Sequence, residues 1–274
     1  MNSARLLAYR EYPRKGAPSS VTGDTPVFLL HGLFAGGDNF HSIAENLKEQ
    51  FRVISPDLRN HGSSFHHPDT SYRALASDVI ALMDALDIER AVLIGHSMGG
   101  KTAMKAALMY PDRVKGLVVE DIGPGGHQAR YENEVKAMAG FDPSRVHSRK
   151  EALEEFSKLV EDGRLAMFLL KNLKKDAEGR YYWRHNISGI AAGYGEVWKA
   201  VAGAPDAGPY QGPSLFLRGG ASNAVTEADL EIIRDLFPRA GFHTIEGAGH
   251  WVHAEYPGEF TAEVLKFLRT VLHT

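Results

Sequence analysis

The stretch Ala91-Val92-Leu93-Ile94-Gly95-His96-Ser97-Met98-Gly99-Gly100-Lys101-Thr102-Ala103-Met104 decides the fold, because two periodicities meet inside it. Ala91 to Gly95 is an uninterrupted aliphatic run closed by glycine and reads as a buried strand. From Ser97 to Met109 apolar residues recur at three- and four-residue spacing, which predicts a helix. The junction is the pentapeptide Gly95-His96-Ser97-Met98-Gly99, a G-x-S-x-G turn. Its glycines permit a sharp strand-to-helix reversal that lifts the Ser97 hydroxyl clear of the backbone.

Outward from this junction the same alternation repeats. Val27 to His31, Arg52 to Pro56 and Val114 to Asp121 read as further strands, with helices over Asn39 to Gln50 and Tyr72 to Leu86. Strand–helix repetition of this kind implies a parallel sheet covered on both faces. From Gly125 to about Pro205 the pattern turns to charged helical sequence, including Lys150 to Val160 and Arg164 to Leu173, with no strand-like run of comparable strength. Strands at Ser214 to Arg218 and Phe242 to Ile245 and helices at Glu227 to Phe237 and Gly258 to Leu272 then resume the alternation. The expected organisation is an α/β core in two parts, 1–123 and 210–274, with residues 124–209 as a helical lid above the strand ends where such folds bind ligands. The lid aromatics Phe168, Tyr181, Tyr182, Tyr194 and Trp198 are taken as packing.

Composition narrows the function. The 274 residues are 43% hydrophobic and 24% charged with a formal net charge of -3, which offers no electrostatic case for nucleic-acid or membrane partners and points to a small-molecule one. No run approaches the roughly 18 to 20 apolar residues of a membrane span, and Met1 to Arg10 lacks the pattern of an export signal, so the chain is expected in the cytoplasm. Zero cysteines exclude disulfides, thiolate metal sites and a cysteine nucleophile.

The junction carries a rival motif. Gly95 to Thr102 also satisfies G-x-x-x-x-G-K-[ST], a phosphate-binding loop, and Leu117 to Asp121 resembles the acid-ended strand that accompanies it. A nucleotide hydrolase would leave His31-Gly32 and Gly249-His250 without a role. A serine nucleophile uses both. His250, on a glycine-rich loop after the last predicted strand, is placed to act as the base. His31-Gly32-Leu33-Phe34, after the first buried strand, can supply an oxyanion amide from Leu33 or Phe34, with Met98 supplying the second. The usual position for the acid, after Ser214 to Arg218, reads Gly219-Gly220-Ala221-Ser222-Asn223 and holds no carboxylate. Asp121 therefore becomes the acid. Strand alternation sends Glu120 to the opposite face, and Ser222 offers a supporting hydrogen bond.

Taken together, His31 to Phe34, Asp57-Leu58-Arg59-Asn60-His61-Gly62, Gly95 to Lys101 and Val118-Val119-Glu120-Asp121-Ile122 resemble the α/β-hydrolase serine esterases, in the branch of the bacterial YbfF esterase and the mitochondrial abhydrolase-domain proteins. Phe168 to Leu173, Gly179-Arg180 and Trp183-Arg184-His185-Asn186 extend the likeness into the lid, although Gly123 stands where the branch has serine and Ala221 also differs. The resemblance implies a catalytic aspartate at Asp121 with a serine at Ser222 nearby. It implies hydrolysis of carboxylic esters or acyl thioesters through an acyl-enzyme, without cofactor or metal. Asp57, Arg59 and His61 are read as structural. Carbon-carbon bond hydrolysis, cofactor-free peroxidation, a non-catalytic receptor and the nucleotide hydrolase are the alternatives.

Overall fold

The aliphatic runs are buried on both faces because alternate residues enter different cores. In the strand Val27–Leu30, Phe28 and Leu30 join one apolar cluster while Val27 and Leu29 join the other. Period-2 geometry makes this unavoidable once both faces are covered.

The computed structural model describes residues 5–16, 25–201 and 208–272. In chain order the first part of the core comprises β1 (Tyr9–Tyr12), β2 (Val27–Leu30), α1 (His41–Leu47), β3 (Val53–Pro56), α2 (Tyr72–Ala85), β4 (Ala91–His96), α3 (Met98–Met109) and β5 (Val114–Glu120). The second comprises β8 (Ser214–Gly219), α9 (Glu227–Leu236), β9 (Ala240–Ile245), α10 (Val252–Glu255) and α11 (Pro257–Leu272). Between them lie α4 (Glu132–Gly140), α5 (Arg149–Phe156), α6 (Gly163–Leu170), β6 (Leu173–Lys175), β7 (Tyr181–Trp183), α7 (Ile187–Ala192) and α8 (Tyr194–Val197). The main sheet runs β1-β3-β2-β4-β5-β8-β9, parallel except where β1 pairs antiparallel with β3. Helices α2, α3 and α9 pack on one face and α1 and α11 on the other. Helix starts are set by side-chain caps: Ser71 accepts from the Ala74 amide, and Thr226 and Asp229 form a capping box.

Two elements depart from expectation. Edge strand β1 exposes three of its four residues and so shows no apolar run. The segment between β5 and β8, expected to be mostly helical, contains the antiparallel hairpin β6–β7, paired from Leu173↔Trp183 to Lys175↔Tyr181. Gly179 supplies its turn at φ +82, a conformation that favours glycine. This excursion packs its own apolar cluster, including Val135, Met138, Phe156, Leu169, Tyr181 and Tyr194. Because β5 and β8 are direct neighbours in the sheet, the excursion leaves from the strand next to β4 and re-enters one strand further out. Residues 202–207 of the expected 124–209 segment lie outside the described residues. Among the described residues no helix is long and apolar enough to cross a membrane.

Candidate active site

Ser97 is the turn itself rather than the first helical residue. It sits between β4 and α3 at φ 51 and ψ -116, off the usual backbone regions for a residue with a side chain. Such a conformation costs on the order of 1–3 kcal/mol and survives only where its surroundings over-determine it. Here they do: the Ser97 N–H donates to the Glu120 carbonyl at 3.1 Å, and the turn is closed by the adjoining glycines. A Cβ on Gly95 would lie 2.2 Å from the Gly99 carbonyl oxygen, and one on Gly99 would lie 2.0 Å from that of Leu30. Only glycine lets the helix start this close to the ends of β2 and β4.

Lys101, the residue that a phosphate loop would aim at its ligand, points elsewhere. Its buried ammonium donates to the carbonyls of Gly125 and Lys199, both at 2.8 Å. Burial draws its pKa down to about 8. It staples the two ends of the excursion to α3.

Asp121 follows β5 at φ 48, its N–H donating to the Leu217 carbonyl at 2.8 Å. Its carboxylate is 1% exposed and accepts three hydrogen bonds. The Gly219 N–H reaches Oδ1 at 2.9 Å, while the Ser222 hydroxyl at 2.5 Å and the His250 ring at 2.8 Å share Oδ2. The partner on His250 is Nδ1, so Nε2 is left for chemistry. His250 keeps 19% of its side chain exposed. His96, the first variable residue of the pentapeptide, donates from Nε2 to the His250 carbonyl at 2.9 Å, and burial pulls its pKa down to about 3, so the ring is neutral.

Glu120 faces the other way. It accepts the His253 amide at 2.8 Å and His253 Nδ1 at 2.7 Å through one oxygen. Burial raises its pKa, but the two hydrogen bonds from His253 and the neighbouring imidazole dipoles leave it below the ordinary carboxylate value.

The loop after β2 runs beyond the Leu30↔Gly95 pairing, alongside the serine turn. Buried His31 donates from Nδ1 to the Gly32 carbonyl at 2.8 Å and accepts the Leu58 N–H on Nε2 at 2.9 Å. The two candidate oxyanion amides of this loop differ. The Phe34 N–H is already taken by His61 Nε2 at 3.3 Å, whereas among the described residues neither the Leu33 nor the Met98 amide donates a hydrogen bond. Leu33 and Met98 line one cavity of about 20 Å³ with Leu75, Ile190 and Val197.

Asp57 and Arg59 hold loops together: Arg59 pairs with Asp78 at 2.6 Å, and Asp57 accepts the Gly37 and Ser63 amides and the Arg184 guanidinium at 2.7, 2.8 and 2.6 Å. His61 is more than a loop residue, since it touches Phe34. The exchange between His253 and Glu120 was not evident in the sequence either, and its only signal there is a histidine three residues after His250.

The α/β hydrolase fold family matches the chain over residues 25–257. The mouse (Mus musculus) sn-1-specific diacylglycerol lipase ABHD11 is 41% identical over 253 residues, 88% of this chain and 80% of that protein. Esterase YbfF of Escherichia coli strain K12 is 34% identical over 248 residues, 89% of this chain and 93% of that protein. A solved structure described as a marine microorganism esterase aligns with a TM-score of 0.89 at 37% identity, covering 97% of this chain and 100% of that one. With the family match spanning most of the chain and relatives this similar, the chain belongs to the α/β-hydrolase fold family and is an enzyme related to its esterases and lipases.

Proposed function

We propose that the chain hydrolyses carboxylic esters, acyl thioesters included, with Ser97 as nucleophile, His250 as base and Asp121 as the acid that orients it. The observation that carries this is the 2.8 Å bond from His250 Nδ1 to a buried Asp121 carboxylate beside a strained serine turn. Ser97 Oγ attacks the acyl carbonyl as His250 Nε2 takes its proton. The carbonyl oxygen, now negative, accepts from the Leu33 and Met98 amides. On collapse the C–O or C–S bond breaks and the leaving alkoxide or thiolate receives the proton from His250. Water, deprotonated by the same nitrogen, then attacks the acyl-serine, releasing the acid and restoring Ser97. Asp121 stays ionised and stabilises the imidazolium formed in each half-reaction.

Residues 124–209 act as the lid in this scheme, and the cavity shared by Leu33, Met98, Ile190 and Val197 receives the acyl end. Covalent labelling with a fluorophosphonate probe tests the reading. Wild type should be labelled and Ser97→Ala should not. An unlabelled wild type would overturn it.

A further inference from the structure

Phe34 is a bulky residue in the left-handed region, at φ 63. Its ring is 3% exposed and belongs to the apolar cluster of the excursion rather than to either core of the sheet. Both polar groups of its backbone are occupied. The N–H donates to His61 Nε2 at 3.3 Å, and the carbonyl accepts from Asn172 Nδ2 at 2.7 Å and from His185 Nε2 at 3.0 Å. Asn172 and His185 come from the excursion, and the Arg184 N–H ties them together by donating to the Asn172 carbonyl at 2.8 Å.

The partners of the two rings leave each a single tautomer. His61 Nδ1 lies 2.9 Å from the Arg59 carbonyl, which can only accept, so Nδ1 carries the hydrogen and Nε2 must be the acceptor for Phe34. His185 Nδ1 receives the Gly62 N–H at 2.7 Å, so Nε2 carries the hydrogen given to the Phe34 carbonyl. One peptide plane earlier, the Gly32 carbonyl accepts His31 Nδ1 at 2.8 Å and the Ala35 N–H at 3.2 Å. In a trans peptide the N–H points opposite to the C=O. Holding the Gly32 oxygen therefore turns the Leu33 N–H away from those donors. Three successive peptide planes are fixed by named groups.

We infer that His61, His185 and Asn172 are positioning residues. They hold the Phe34 peptide, with its ring anchored in the excursion's core, so that the Leu33 amide is presented to the oxyanion. This rests on the ester-hydrolase reading above, with Leu33 as the loop's donor. It makes the excursion part of the oxyanion machinery as well as a cover.

Asn172→Asp keeps the shape but replaces the donor facing the Phe34 carbonyl with an acceptor; His61→Leu removes an acceptor, and His61→Gln can restore one. Each would be assayed for kcat and KM on a short-chain nitrophenyl ester, for inhibition by the trifluoromethyl ketone of the same acyl group, and for its urea midpoint. Asn172→Asp and His61→Leu should lower kcat about 10- to 100-fold, the cost of a misplaced oxyanion donor. KM should stay within about twofold, trifluoromethyl ketone inhibition should weaken in step with kcat, and His61→Gln should recover most of the loss. If His61→Leu does not fold, Asn172→Asp decides. Folded variants with wild-type kcat, a rise in KM at constant kcat, or His61→Gln no better than His61→Leu would overturn the inference while the esterase reading stood. A wild type without turnover dependent on Ser97 would overturn both.

Discussion

Two histidine–carboxylate pairs stand at the end of β5, and consecutive residues supply their acids. Asp121 meets His250 on the side of the serine turn, where the imidazole is 19% exposed. Glu120 meets His253 on the opposite side, where the two side chains are 0% and 2% exposed. The first pair has three donors on its carboxylate and leaves the second ring nitrogen of His250 outside the pairing. In the second, one oxygen receives two bonds from His253, and Oε2 lacks a partner among the described residues. The same two residue types thus serve different ends. Exposure separates the two pairs: the first is open to solvent on its histidine, and the second is buried where it holds α10 against the sheet.

The largest effect that could break this comparison is on turnover. Asp121→Asn should lower kcat by about 10³- to 10⁴-fold, because an uncharged partner neither fixes the reactive tautomer nor stabilises the imidazolium. Steady-state kinetics on an activated ester measures it. Glu120→Gln should do the opposite: roughly 2–4 kcal/mol of stability lost as a buried charge-assisted pair is removed, with kcat of the folded protein within about tenfold of wild type. Urea denaturation reads the first quantity and kinetics the second. Should Glu120→Gln prove the catalytically damaging change, the roles of the two acids would have to be exchanged.

The central strands were legible because they are buried on both faces and so appear as nearly unbroken aliphatic runs. Edge strand β1, with alternating company and solvent on most of its residues, could not appear that way. Hairpin β6–β7 was hidden for a different reason: three-residue strands set among charged helices give periodicity nothing to count. At the site, G-x-S-x-G and a late histidine are local signals, but strand alternation stops at Glu120: Asp121 lies past the end of β5 at φ 48, so its direction is set by the turn and not by the strand period. The brace on Phe34 had no such signal. His61 and Asn172 lie 27 and 138 residues from Phe34, and their use depends on which ring nitrogen carries a hydrogen.

Protonation offers a third contrast. Burial lowers the pKa of His31, of His61 well below its ordinary value, and of His185 to about 4, so this group of rings is neutral in the fold. An unfolded histidine binds its proton near pH 6.5. Between about pH 6.5 and 4 the unfolded chain holds more protons than the folded one, so stability present at neutral pH is lost as pH falls through that window. His185 alone should account for about 2 kcal/mol between pH 7 and 4.5. Urea midpoints at those pH values should show the fall, and His185→Gln should show a shallower one. A pH-independent midpoint would mean that these rings take up protons in the fold as readily as in the unfolded chain.

The smallest expected effect sharpens the comparison most. Asp121 differs from Glu120 in receiving donors from β8 and its following loop, and Ser222 is the one that can be removed without touching the backbone. Ser222→Ala leaves the Gly219 amide and His250 in place, so the carboxylate keeps two of its three hydrogen bonds. A charge-assisted bond of this kind is worth about 1.5–3 kcal/mol to a buried group, but its loss acts on the ground state and the transition state alike. Only the part that strengthens as the imidazolium forms should appear in kcat, giving a loss of about tenfold or less. A loss as large as that of Asp121→Asn would mean that Asp121 cannot hold the His250 ring without the Ser222 hydroxyl.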